Sequence, residues 1–330
     1  MTTEPAPKGQ PPQRPAYLVL GMHRSGPSAA TQLLALAGAN LPDNVMPGDE
    51  HNAKGYFEPW RIAVFNDQRL RAGGGAWDDA FTFPYQPTED EAVWRARALA
   101  LFREEYGAAL NPLLKDPRVS VLMPIWRSVL EAEGLTARCV IPVRHPLAVA
   151  GSLARRDQFP IVKSVLLWTT YMLAAEADSR DLARAFVDYD ALLADWRTEV
   201  ARIEAAHGAP LPRLTARAAS RIDAFLTPEL RHNSADGDLS GLGEVGAVAQ
   251  EVYDWFKAAA RGETPARAPL ERATAMLVRM KAEIGVYVSP VTRALDIARA
   301  ELAEERAKRQ SLETERAQVE AVIDAMLAAR

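Results

Sequence analysis

The 330-residue chain has one cysteine, Cys139. A single thiol excludes an intramolecular disulfide framework and cannot complete a cysteine-type zinc site. No apolar stretch approaches the roughly 18–20 residues needed to cross a bilayer. The opening segment, MTTEPAPKGQPPQRP, lacks the apolar region of a secretory leader. An excess of either sign is also lacking, with 39 lysines and arginines against 43 aspartates and glutamates. The formal net charge is −4, too small and of the wrong sign to hold nucleic acid through a global basic field. The expectation is a protein of a reducing, cytoplasmic setting, neither integral to a membrane nor bound to nucleic acid. Any anionic ligand needs a local cluster of cations. With 48% hydrophobic and 25% charged residues, the chain has enough apolar material for an ordinary globular core.

Residues 1–15 contain five prolines and almost nothing apolar, and so predict a disordered tail. Structure is expected to start at the run Tyr17-Leu18-Val19-Leu20, which suits a buried parallel strand. A glycine-containing loop and a helix over 29–38 follow. Helices are predicted over 58–72, with Pro59 in the first turn, and over 89–110. Leu113-Leu114-Lys115 reads as a short strand, then the turn Asp116-Pro117-Arg118 and a helix to about Glu131. Cys139–Val143 is a second clear strand, and His145-Pro146 opens a helix to about Arg156. A helix over 162–178, a strand at Phe186–Tyr189 and a helix over 191–206 complete the alternation. Strands alternating with helices argue for an α/β fold with a three-layer parallel sheet. Residues 207–250 carry little pattern. From 291 to 330 there is no glycine or proline, and Leu295, Leu302, Leu312, Val319, Ile323 and Met326 trace a near-heptad broken by Arg309 and Arg316. This predicts a long helix and a marginal coiled coil able to make a homo-oligomer. The chain thus divides into a tail (1–15), one α/β domain (16–290) and a terminal helix (291–330).

Gly21-x4-Gly26-Pro27-Ser28 has the spacing of a Walker A loop, with Pro27 where the lysine belongs. A tight loop entering a helix aims free N–H groups at one point, and the helix dipole adds about half a positive charge there. Arg24 contributes a permanent charge able to fork onto phosphate or sulfonate oxygens. Arg144 ends an apolar strand, where ligands of open α/β sheets collect.

The loop Gly21-Met22-His23-Arg24-Ser25-Gly26-Pro27-Ser28 resembles the 5′-phosphosulfate loop of sulfotransferases that use 3′-phosphoadenosine 5′-phosphosulfate (PAPS). The likeness continues in order through Gly55-Tyr56-Phe57-Glu58, Asn66-Asp67, Trp77-Asp78-Asp79 and Lys115-Asp116-Pro117-Arg118. It extends over Val143-Arg144-His145-Pro146 with Ala150-Gly151-Ser152-Leu153 and Arg156-Asp157, then Leu167-Trp168 with Tyr171, and Tyr189-Asp190 with Leu192-Leu193. The match spans about residues 17–235. It implies a P-loop NTPase-like sulfotransferase fold that moves a sulfuryl group from PAPS to a hydroxyl or amine of a glycan, glycolipid or small metabolite, with no metal required. It also implies that Arg24, Ser25, Gly26, Pro27, Ser28 and Ala29 hold the 5′-phosphosulfate, and that Arg144 and Ser152 hold the 3′-phosphate.

Arg24 is then the natural charge stabiliser and Lys115 a second one or a substrate contact. Glu58 is the favoured general base, with His51 and Asp67 in reserve. Arg231-His232 lies where a late loop folds over the nucleotide in this family. Arg155 and Arg156 read as solvated or ion-paired, Cys139 as a buried strand residue, and Trp94, Trp126, Trp168 and Trp255 as core. Pro27 departs from the family's threonine and removes an N–H and a hydroxyl, donors that contribute about 1.5–3 kcal/mol each toward a charged ligand. Two alternatives stay open. One is a degenerate, non-catalytic nucleotide-binding protein that assembles through its terminal helix. The other is a small-molecule kinase, disfavoured by the missing lysine and by the lack of a strand-then-aspartate magnesium site.

Overall fold

A computed structural model describes residues 14–49, 52, 54–230 and 237–328. The expected tail up to residue 13, His51 and Arg231-His232 lie outside the described residues. Four strands, β1 (Arg14–Val19), β2 (Leu113–Lys115), β3 (Leu135–Val143) and β4 (Ala183–Asp188), form one parallel sheet in the order β2-β1-β3-β4. β1 starts three residues before the apolar run, and Arg14 and Pro15 pair with Leu135 and Thr136. Proline is tolerated there because it lies in the first residues of the strand, where a missing N–H breaks little of the ladder.

Alternation along the strands divides the core in two. Ala16, Leu18 and Leu20 face one side with Cys139, Ile141 and Val143; Tyr17 and Val19 face the other with Val140, Ala185 and Val187. The first side is covered by α3 (Glu91–Tyr106), α4 (Met123–Ala132), α6 (Ile161–Ala177), α10 (Gly243–Ala260) and α11 (Ala268–Met280). The second is covered by α1 (Pro27–Leu36), α7 (Tyr189–Ala194), α8 (Trp196–His207) and α9 (Ala216–Phe225). This is a three-layer α/β fold with both faces of the sheet buried. Trp126, Trp168 and Trp255 sit in the core, with Trp94 packed against it. Burial pushes the Cys139 thiol up to about 12.

Three expected boundaries change. The helix predicted over 191–206 is two helices, because Asp195 leaves the helical conformation and caps α8, accepting from the N–H of Arg197 at 3.2 Å and Thr198 at 3.3 Å. The pattern-poor 207–250 stretch contains α9 and the start of α10. α9 is capped by Thr215 and buries only Ala218 and Ile222, one turn apart. The terminal helix, α12 (Val286–Ala328), does not start after Pro290: it includes it, and a π-helical turn over Lys281–Gly285 joins it to α11. Proline denies the helix one N–H near its start, and the helix continues beyond it.

α2 (Trp60–Ala72) is tied to the end of β2 by buried polar groups. Asn66 donates Nδ2 to Asp116 Oδ2 at 3.0 Å and accepts Trp126 Nε1 at 3.0 Å. Asp116 also accepts the N–H and Nη1 of Arg118, both at 3.0 Å. Asn66→Ala strands the Trp126 donor and one oxygen of Asp116. With about 1–3 kcal/mol for each buried orphan, it should lower unfolding stability by about 2–6 kcal/mol in urea titration.

Candidate active site

The loops leaving β1 and β3 and the segment after β2 meet at the carboxyl ends of the strands, where the chain switches from one side of β1 to the other. The cleft there has about 720 Å³ of empty volume. Arg24, Gly26, Pro27, Ser28 and Ala29 line it, and so do Glu58, Lys115, Arg144 and Ser152, although they come from distant parts of the sequence. Ser25 is the exception among the expected site residues: it is fully buried and does not line the cleft. Asp67 lies in an adjoining cleft, which shares Arg156 with the first.

The loop is locally strained into shape. Arg24 has φ +66° and Gly26 φ +99°, both in the left-handed region. Gly26 caps α1, and Pro27 takes its first helical position, where proline's fixed φ fits. A Cβ on Gly26 would lie 2.3 Å from Cδ2 of Tyr189, so only glycine lets the loop approach that ring. Gly21 N–H is anchored on Ser120 Oγ at 2.8 Å. The Ser28 hydroxyl donates to the Tyr56 carbonyl at 3.3 Å and accepts Asn52 Nδ2 at 3.4 Å, fastening the helix start to the 52–58 segment.

The cations are crowded. Arg24 donates Nε to Ser152 Oγ at 2.7 Å, and Arg144 donates Nη1 to the Arg24 carbonyl at 3.0 Å. The Arg144 guanidinium lies 4.6 Å over the Tyr189 ring, and Tyr189 donates its hydroxyl to the Leu230 carbonyl at 2.9 Å. Burial, then the positive charges of Arg156 and Arg144, lower the Arg24 pKa from its ordinary value. α5 (Pro146–Asp157), capped by the His145 ring, carries both Ser152 and Arg156. Arg156 is ion-paired with Asp157 at 2.8 Å, as its sequence suggested, yet it also faces both clefts.

Lys115 is buried at the end of β2. It donates Nζ to Glu58 Oε1 at 2.5 Å and to the Tyr56 carbonyl at 2.8 Å. Burial pulls its pKa down, and Glu58 works to hold its charge. Glu58 Oε2 lies 3.8 Å from Arg118 Nη1. His23 also lines this cleft, and sequence reasoning gave it no role although it sits inside the loop motif. Its ring packs edge-on against Trp77 at 4.9 Å, and Nε2 has no hydrogen-bond partner among the described residues. Burial, then Arg118, Arg156, Lys115 and Arg24, drive its pKa well below 6.5, so His23 is a neutral imidazole in a positive field. The isolated motif could not reveal this, because Arg118, Arg156 and Lys115 arrive from other elements.

Among the described residues no three His, Cys, Asp or Glu side chains form a group suited to a metal ion, and no helix is long and apolar enough to cross a membrane. No family model and no curated protein matches the sequence. Among solved structures, the chain is similar to the sulfotransferase domain of the olefin synthase from Synechococcus PCC 7002. The identity is 17% and the TM-score 0.42, over 77% of this chain and 98% of that one.

Gly26→Ala should lower unfolding stability by about 1–3 kcal/mol through overpacking against Tyr189 and an unfavourable φ; an unchanged urea midpoint would contradict the close approach. His23 contributes a pH dependence. Its folded pKa lies below its unfolded one, so the unfolded chain binds the extra proton and acid favours unfolding below about pH 6.5. The stability of the native sequence relative to His23→Gln should therefore shrink between pH 7.5 and pH 5 in parallel urea titrations. A constant difference would show that His23 is not held neutral.

Proposed function

We propose that the chain is a sulfotransferase that moves a sulfuryl group from PAPS to a hydroxyl or amine of a glycan, glycolipid or small metabolite. A cytoplasmic setting suits its lone cysteine. The observation that carries this reading is the gathering of Arg24, Arg144, Arg156 and Lys115 around the amino end of α1 in one cleft. Mutually repelling cations packed against a helix N-terminus make a site complementary to a ligand with several negative charges. The ordered motif set of the sequence narrows that ligand to a phosphosulfate nucleotide.

When bound, PAPS supplies an activated sulfuryl group and leaves as adenosine 3′,5′-bisphosphate. The α1 amino end and Arg24 hold the 5′ end and offset the charge that develops on the leaving phosphate. Arg144 and Ser152 hold the 3′-phosphate, with Tyr189 keeping the Arg144 plane oriented. In-line transfer forms the acceptor O–S bond as the phosphate O–S bond breaks, and the acceptor proton goes to a base. Glu58 takes that role, with its Oε1 held by Lys115. Among the described residues, neutral His23 also offers the cleft a lone pair for a proton.

Pro27 favours a second reading. At the first position of α1 it offers no N–H to an anion, which suits a nucleotide-binding protein that has lost turnover. A kinase reading has only the shared loop spacing behind it.

Isothermal titration with adenosine 3′,5′-bisphosphate tests the site. The native chain should bind, Arg144→Ala should weaken binding at least about tenfold, and Pro27→Thr should tighten it by about tenfold or more. Failure of a folded sample to bind at millimolar nucleotide overturns the proposal. Glu58→Gln should bind nucleotide and lose sulfuryl transfer from labelled PAPS to a glycan panel. Binding by the native chain without any transfer selects the non-catalytic reading.

A further inference from the structure

The first turns of α12 pack on the domain. Asp296 accepts Arg71 Nε at 2.6 Å, and Arg299 reaches Asp78 at 3.4 Å. Beyond Ala300 the helix leaves the domain. Every described side chain from Glu301 to Met326 is exposed, including Leu302, Leu312, Val319, Ile323 and Met326. That segment is about 40 Å long. Leu302, Leu312, Val319, Ile323 and Met326 fall on one seam, with Leu302, Arg309, Arg316 and Ile323 at one heptad position and Glu305, Leu312, Val319 and Met326 at the other.

We propose that this segment pairs with the same segment of a second copy of the chain as an antiparallel coiled coil, with its two-fold axis between Gln310 and Ser311. Charge complementarity selects both partner and direction. In a parallel, in-register pair, Glu305, Arg309 and Arg316 would each meet their own copy in the seam, giving three like-charge layers. Antiparallel pairing sets each position against the other kind. Leu302 meets the partner's Val319, Arg309 meets the partner's Leu312, and Glu305 meets the partner's Arg316. The flanks agree as well: Arg306 faces the partner's Glu313, Arg299 the partner's Glu320, and Lys308 the partner's Glu315.

Within one helix, Arg309 already donates to Glu313 at 2.9 Å and Arg316 to Glu320 at 2.7 Å, while Lys308 pairs with Glu304 at 2.8 Å and Glu305 at 3.1 Å. These carboxylates keep lone pairs for a second cation. Pairing also bears on the site. Arg299 and Arg306 line the cleft that adjoins the phosphate-loop cleft. The partner's Glu320 and Glu313 therefore close the rim of that cleft, whatever reaction it serves.

Light scattering of the full chain after size exclusion should give twice the chain mass. Glu305→Arg and Arg316→Glu, each on an exposed helix face, should each raise the dimer dissociation constant at least about tenfold. The double variant E305R/R316E should return it to near the native value, because the two opposite charges then simply exchange places across the axis. Oxidation of L302C/V319C should give a covalent dimer, whereas L302C alone should not; the native Cys139 is buried and does not compete. A native chain that stays monomeric at millimolar concentration overturns the assembly. A dimer that the charge swap does not restore, or that L302C alone cross-links, overturns the antiparallel direction.

Discussion

Asp116 has no contact with solvent, and a carboxylate so placed must be paired inside the protein. Its oxygens are met by Asn66 on α2 and by the backbone and guanidinium of Arg118. Arg118 reaches on to Asp67 at 2.5 Å and toward Glu58, and Glu58 holds Lys115. Burial opposes the Arg118 charge, but Asp116, Asp67 and Glu58 together raise its pKa well above the ordinary value. α2, the end of β2 and the 52–58 segment are thus locked into one polar network. The floor of the cleft is its outer edge, so the position of Lys115 is a consequence of how Asp116 is satisfied.

The opposite wall of the cleft follows another logic. Arg24, Arg144 and Arg156 repel one another, and burial adds to the penalty on Arg24. The protein tolerates this through a strained loop at Arg24, a ring beneath Arg144 and a carboxylate beside Arg156. One wall is a closed polar network, and the other gathers three guanidinium groups. Pro27 removes one backbone donor from this arrangement while leaving the turn intact.

Much of this was legible in the chain. The apolar runs at Tyr17–Leu20, Leu113–Leu114 and Cys139–Val143 are strands because nothing else buries short, uninterrupted apolar segments so efficiently. The loop from Gly21 to Ser28 was legible because φ > 0 and a helix start leave a local signature. α9 was not, because its buried face is only Ala218 and Ile222. The break at Asp195 was equally hidden, since a cap and a helical surface aspartate look alike until the flanking helices pack. Pro290 suggested a boundary on local grounds, but the helix continues through it.

Composition, periodicity and motif order by themselves determined the α/β class, the strand, glycine-containing loop and helix around Gly21–Ser28, and the near-heptad of the terminal helix. These are properties of neighbours in the chain. The tertiary structure decided that Arg24 meets Ser152 across 128 residues, that Lys115 is spent on Glu58, and that His23 is neutral. It also decided that the heptad stripe is left uncovered on a projecting helix. Charge state, pairing and exposure depend on which groups packing brings within a few ångströms, and Coulomb and desolvation energies act over distance in space, not along the sequence.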